Sequence, residues 1–583
     1  MIATLFPPLA VAGPLGIAAL LLALSKALPR RVSDMIAIAT ALGACAVCGA
    51  MAYAVTASPI VYWFGSWQTI GPQVVGISFV VDQASALIGA LVGLLFAATF
   101  VFAWGFFDDV HAHFHVLMLV FMAGMIGFCL TGDLFDMFVW LELLSVAGFA
   151  VTAYALRPAS IAGALNFTVV NTIGGYLFLG GIGLLYAQFG TLDLRALGTA
   201  VAAHPGEPVV TGGFVLLGSA LLIKTAQVPF QMWLGDAHAV APSPVAVVFS
   251  GAEVGVAMFG LGKLLWQVFA ASPPVMQVAG TLLLGMGIAS ALVGGVMALG
   301  QRHIKRLLAF STISHTGVML TALALLGRDG TAGMLAYVSG QGFVKASMFM
   351  IAGFIAAKCG GVDEVRQRGC GRPYWPMGVM MAFGGLLLAG LPLGPMDEGI
   401  SLIASAAARA GKSWILFPLL AGVALTGAAV LRVAGRVFVG WGEDPGEEGR
   451  SESEQEDENK GERPWPLLAA PTLLLLALGT VRWDKAGALA THAASAMMGE
   501  APPPPPPPLP ELVLPWIAVA AAIVIAAYDL GRRHLPRGFT DGVTASTGPP
   551  VRALRAMHSG LVTDYVTWLA VGLAMFSLAF LFA

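Results

Sequence analysis

Charge is scarce in this sequence. Asp, Glu, Lys and Arg make up 11% of its 583 residues, against roughly 25% in a soluble globular domain. That shortage excludes a water-exposed surface over most of the chain. Basic stripes and nucleic-acid-binding motifs are missing, so no nucleic-acid partner is expected. Cysteine is scarce as well. Of five, only Cys45 and Cys48 have C-x-x-C spacing, and they lie in an apolar run. A metal or redox site needs more ligands than this pair supplies, so both read as small packing residues. No iron–sulfur, flavin or nucleotide motif is visible, and no cofactor or metal is expected. The short alternating segments of a membrane β-barrel are not the general pattern either. The N-terminal MIATLFPPLAVAG lacks a basic start and reads as a retained first helix, not a cleaved signal.

Apolar residues are what the chain has in abundance: 58% of it is hydrophobic, with a mean hydropathy of +0.83. Segments long enough to span a bilayer recur about sixteen times. The expected fold is an all-α polytopic membrane protein in the cell's inner (plasma) membrane. Lys and Arg concentrate in alternate loops: Lys26, Arg30 and Arg31; Arg302, Lys305 and Arg306; Lys358, Arg366, Arg368 and Arg372; Arg532, Arg533 and Arg537. The positive-inside rule puts these loops in the cytoplasm and both termini outside. Residues 60–81 alternate and carry aromatics, Gly and Pro, which predicts an outward hairpin.

Five organisational units follow. Residues 1–112 are N-terminal helices with the hairpin. Residues 113–268 and 273–440 each hold five spans of similar total length. An odd count inverts the second unit relative to the first, as in transporters built from inverted repeats. Each unit contains a proline-broken helix, one at Lys224 to Pro229 and one at Leu391 to Pro395. Residues 441–464 form an acidic loop whose composition predicts disorder. Residues 465–583 are C-terminal helices with a proline run at 502–508.

Ionisable residues inside apolar segments are costly, so they mark functional sites. Lys224 stands in LLIKTAQVP, next to the first helix break, where irregular backbone at membrane depth needs buried partners or water. Glu142 sits in FVWLELLSV, Glu253 in FSGAEVGV with Lys263 further on, His315 in STISHTG, and Lys345 in GFVKASMF. Buried acids and bases of this kind suit proton transfer, because each can change charge as its surroundings change. Asp397 and Glu398 follow the second break. Adjacent helical residues point about 100° apart, so one of the two, Glu398 by preference, is expected to face the interior. Asp108, Asp109, His111, His113 and His115 cluster near a cytoplasmic end. They read as a wet helix end, since a metal needs about four convergent ligands.

The run IKTAQVPFQMWLGDAHAVAPSPV (Ile223 to Val245), with AGMIGFCLTGDLFDMFVWLEL (Ala123 to Leu143) and QRHIKRLLAFSTIS (Gln301 to Ser314), resembles the antiporter-like subunits of respiratory complex I, Mrp cation/proton antiporters and membrane-bound hydrogenases. HSGLVTDYVTWLAVGL (His558 to Leu573) resembles the end of the longer members. The resemblance implies proton translocation through a Glu142–Lys224 pair and a central Lys345. It also implies membrane subunits as partners and no redox chemistry in the chain itself. Sodium is the alternative ion. A proton-coupling subunit for inorganic-carbon uptake and a non-conducting assembly subunit are the alternative functions. The chain departs from the family in three places. The helix after APSP has Gly255 and Val256 where a base is usual. Tyr337 and Gln341 replace histidines. Asp397 and Glu398 precede the position of a lysine, now Gly399 or Ile400. The acids then suggest a second charge pair, Lys345 with Asp397 or Glu398.

Overall fold

A computed structural model describes residues 5–581 except 56–57, 67–68, 71–72, 75, 105–112, 443–464, 482–485 and 502–512. The acidic stretch, the proline run, Asp108, Asp109 and His111 lie outside the described residues. The helices are α1 (Phe6–Ala23), α2 (Arg30–Ala54), α3 (Gln83–Phe102), α4 (His113–Leu130), α5 (Leu134–Thr152), α6 (Pro158–Phe189), α7 (Leu194–Ala203), α8 (Pro208–Lys224), α9 (Met232–Val240), α10 (Ser243–Val248) and α11 (Val254–Leu264). They continue as α12 (Pro273–Leu299), α13 (Ile304–Ala324), α14 (Arg328–Cys359), α15 (Trp375–Leu388), α16 (Gly394–Arg409), α17 (Leu416–Ala434), α18 (Trp465–Leu478), α19 (Ala486–Met498), α20 (Leu514–Gly531), α21 (Arg537–Met557) and α22 (Val562–Leu581).

Among the described residues, thirteen helical spans are long and apolar enough to cross a bilayer. One of these, Ser243–Phe269, joins α10 and α11 through a widened π turn at Phe249–Glu253. The other expected spans are broken, as α8/α9 and α15/α16, or short, as α18. The predicted hairpin is present. Strands β1 (Ile60–Trp63), β2 (Thr69–Ile70), β3 (Gln73–Val74) and β4 (Ser78–Val81) pair antiparallel, β1 with β4 and β2 with β3. Helices α7, α19 and α21 have no counterpart among the expected spans. Helix α21 carries Gly548, Pro549 and Pro550 and many polar residues, so it lacks the apolar run of a spanning segment. Cys45 and Cys48 pack against Gly93 and Gly89, where α2 and α3 approach closely.

Two units repeat with a constant offset. An isolated bridge joins Asp133 to Asp193, and another joins His303 to Asp363; 303 − 133 and 363 − 193 are both 170. Helices α6 and α14 start and end 170 positions apart, and each stops at a glycine in the left-handed region, Gly190 (φ 67°) and Gly360 (φ 78°). Leu156 and Leu326, also left-handed at 51° and 49°, precede those helices at the same offset. Asp193 and Asp363 then accept backbone N–H bonds just beyond each glycine. The first unit comprises α4, α5, α6, α8/α9 and α10/α11. The second comprises α12, α13, α14, α15/α16 and α17. Five spans per unit make the repeat inverted.

Candidate functional site: a buried polar axis through both repeats

Pro229 has no N–H to give, so the helix ladder fails and α8 stops at Lys224. The backbone then turns through Ala226 in the left-handed region (φ 52°) and resumes as α9. Groups freed by the break find partners. Trp233 Nε1 donates to Ile223 O (3.0 Å), and Val228 N donates to Ser290 Oγ (2.9 Å). Phe167 stacks on Trp233 with ring centroids 4.6 Å apart. The Lys224 ammonium lies 5.2 Å above the same Phe167 ring, a cation–π contact.

That ammonium is 2.7 Å from Glu253 Oε1 and donates to Ser145 Oγ at 3.1 Å. Lys224 is 3% exposed and Glu253 1%, so the pair is fully interior. The direct partner of Lys224 is thus Glu253 and not Glu142. Glu142 lies one turn before Ser145 on α5, half-buried, with its carboxylate against Gly175 of α6 and within electrostatic reach of Lys224. Glu253 ends the π turn, a geometry frequent at functional sites.

The same π turn leads into the second repeat. Ser250 Oγ and Thr312 Oγ1 are 2.6 Å apart, and Gln341 Nε2 donates to Ser250 O (3.3 Å). One residue before Thr312, Ser311 Oγ accepts from the Lys345 ammonium at 2.5 Å, and Leu308 O accepts from it at 3.2 Å. The expected Lys345 pair with Asp397 or Glu398 is therefore not formed: the ammonium bonds a hydroxyl and a carbonyl of α13. His315 Nδ1 is 2.7 Å from the Tyr337 hydroxyl, and its Nε2 is 3.2 Å from Thr426 Oγ1. Tyr337, in the place of a family histidine, also lines a small cavity with Asp397 and Met396 beside the second break. Asp397 and Glu398 are each partly exposed.

His238 was not singled out in the sequence, although it lies in the quoted D-A-H run. Its ring is fully buried between Phe249 and Phe349, with centroids 5.4 and 5.8 Å away, and within electrostatic reach of Lys345. Lys263, also fully buried, donates to the carbonyls of Cys129 and Thr131. Near it, a cavity of about 690 Å³ is lined by Asp82, Arg195, His492 and Glu500 among others. Of the Asp/His cluster expected to be a wet helix end, His115 is instead buried and pairs with Asp34 of α2 at 2.7 Å. The C-terminal motif reaches the first break: Tyr565 donates to Asp236 Oδ2 (2.5 Å), His558 Nε2 is 3.3 Å from Asp236 Oδ1, and Asn166 Nδ2 donates to Gly560 O (3.1 Å).

The family model described as "NADH:quinone oxidoreductase/Mrp antiporter, TM" matches residues 131–425, just over half of the chain. NADH-quinone oxidoreductase subunit N of Desulforudis audaxviator is 32% identical over 322 residues, which cover 54% of this chain and 62% of that protein. Subunit N of Mycobacterium bovis is 32% identical over 302 residues, covering 51% of this chain and 56% of that protein. The match therefore spans less than two thirds of either relative's length. Among solved structures, a chain of the Mrp complex from Dietzia sp. DQ12-45-1b aligns with a TM-score of 0.75 at 24% identity, covering 85% of this chain and 98% of that one. A chain of the archaeal membrane-bound sulfane sulfur reductase aligns with a TM-score of 0.74 at 22% identity, covering 88% and 99%. Those two likenesses concern the fold, which carries the broken helices and the repeat described above. With the matched region running from the start of α5 into α17, this multi-pass membrane chain belongs to the NADH:quinone oxidoreductase/Mrp antiporter family of transmembrane subunits.

Proposed function

We propose that the chain is a proton-translocating subunit of a multi-subunit complex in the cell's inner membrane, with other membrane subunits as partners and no redox chemistry of its own. The carrying observation is Lys224, an ammonium inside the protein at a helix break, bonded to Glu253 with Glu142 beside it. Closure of such a pair favours the ammonium and the carboxylate, and its opening favours the amine and the carboxylic acid. On opening, Lys224 therefore gives a proton to one neighbour while Glu253 takes one from another, and closing reverses both transfers. Ser250, Thr312 and Ser311 supply hydroxyls between that pair and Lys345. His315 and Tyr337 continue the relay toward Asp397 and Glu398 at the second break.

The test uses the intact complex in proteoliposomes, with proton uptake driven by an imposed potassium diffusion potential. Lys224→Ala abolishes uptake on this account while the subunits still co-purify. Wild-type uptake by the variant overturns it. Sodium, the alternative ion, is separated by replacing it with choline, which leaves uptake unchanged if protons alone are carried.

A further inference from the structure

Lys263 sits in an arrangement that recurs in the other repeat. Its ammonium donates to Cys129 O (3.0 Å) and Thr131 O (2.5 Å). The Arg432 guanidinium donates to Leu299 O (2.6 Å) and Gln301 O (2.7 Å). These two carbonyls follow those of Cys129 and Thr131 by 170 positions, the repeat offset, and Arg432 follows Lys263 by 169. Both cations therefore hold the same two carbonyls of the repeat, at the turn joining its first and second helices. Carbonyls at a helix C-terminus lack intrahelical donors and carry the negative end of the dipole, so a cation is the fitting partner.

The charged surroundings differ in detail: Arg432 is ion-paired with Glu364 (Nε to Oε1, 3.0 Å) and Asp529 (2.7 Å), whereas Lys263 has Asp82 and Asp136 in electrostatic reach, together with Arg195 and Cys129. Each clamp also ties two helices of the polar axis together. Helix α11 carries Lys263 and is continuous with the turn holding Glu253, the partner of Lys224, while the clamped turn begins α5 with Ser145. Helix α17 carries Arg432 and Thr426, and the clamped turn begins α13 with His315, which meets Thr426.

We infer that Lys263 and Arg432 are equivalent positioning residues, fixed cations that set the spacing between the second and fifth helices of their repeats, and that Lys263 carries no transported proton. The inference rests on the translocation reading and removes one residue from the relay expected from the sequence.

The conservative exchange decides it. Arginine holds both carbonyls, as Arg432 does, yet stays protonated throughout the accessible pH range. In the intact reconstituted complex, Lys263→Arg is expected to keep wild-type proton uptake with an unchanged pH profile. Lys263→Met is expected to lose uptake, or assembly, and the arginine variant restores either. If Lys263→Arg co-purifies with all subunits but is as inactive as Lys224→Ala, Lys263 carries protons and the inference is wrong. Wild-type uptake by Lys263→Met overturns the clamp as well. Failure of the translocation reading shows separately, as normal uptake by Lys224→Ala.

Discussion

Lys224 and Lys345 keep their charges in different company. The first faces a buried carboxylate, and the second faces a hydroxyl and a carbonyl. Truncation should therefore affect stability unequally. Lys224→Met leaves Glu253 buried without its counter-ion, a loss of about 3–5 kcal/mol that protonation of Glu253 relieves in part. Lys345→Met orphans no charge and should stay within about 1 kcal/mol of wild type. Thermal unfolding of the purified complex checks this: a clear drop in midpoint is expected for Lys224→Met and little change for Lys345→Met. Equal drops would mean that Lys345 has an acidic partner after all. A second residue-scale prediction concerns Gly175, whose missing side chain leaves room for the Glu142 carboxylate. A methyl there displaces only the end of a flexible side chain. Gly175→Ala should therefore assemble normally and transport slowly. Normal transport by that variant would remove Glu142 from the relay.

At the scale of elements, the first broken helix depends on partners for its freed backbone. Trp233 supplies one by donating to Ile223 O. Trp233→Phe keeps the stacking on Phe167 but removes one donor from that carbonyl, which retains Ala226 N at 3.0 Å, a loss of about 0.5–1.5 kcal/mol. Hydrogen exchange should quicken in residues 220–234 and stay unchanged in α14; unchanged exchange at the break would show that the indole is dispensable. The break itself was legible in the sequence, because Pro229 beside a buried lysine has few other readings. The partner of Lys224 was less so. Glu253 is turned inward by a π turn, and nothing in the hydropathy of FSGAEVGV marks a widened helix. The repeat was legible as five spans and five spans. Its offset was not, because equivalent positions carry different chemistry: Glu142 matches Thr312, Ser145 matches His315, and Gly175 matches Lys345. Lys263 reads as a relay lysine in the sequence, and its counterpart in the second repeat, Arg432, is hidden there because it lies one position off the repeat offset.

At the scale of the molecule, the C-terminal motif becomes a strap across the first repeat. Asp236 of α9 receives Tyr565 of α22, with His558 and Arg306 (3.6 Å) beside it. Tyr565→Phe should loosen α22 from α9, seen as easier proteolysis between α21 and α22, while the core stays folded. Resistance equal to wild type would show that the apolar packing of α22 suffices to hold it. The polar axis crosses from one repeat to the other at Ser250 and Thr312, so under the proposed function Lys224 and Lys345 would serve the same protons along one route in series. The most direct measurement is potential-driven proton uptake by the intact reconstituted complex bearing Lys345→Met, beside Lys224→Ala. One route in series predicts that both variants assemble and both lose uptake. Uptake near the wild-type rate in Lys345→Met, with none in Lys224→Ala, would place the second repeat outside the path and contradict the account.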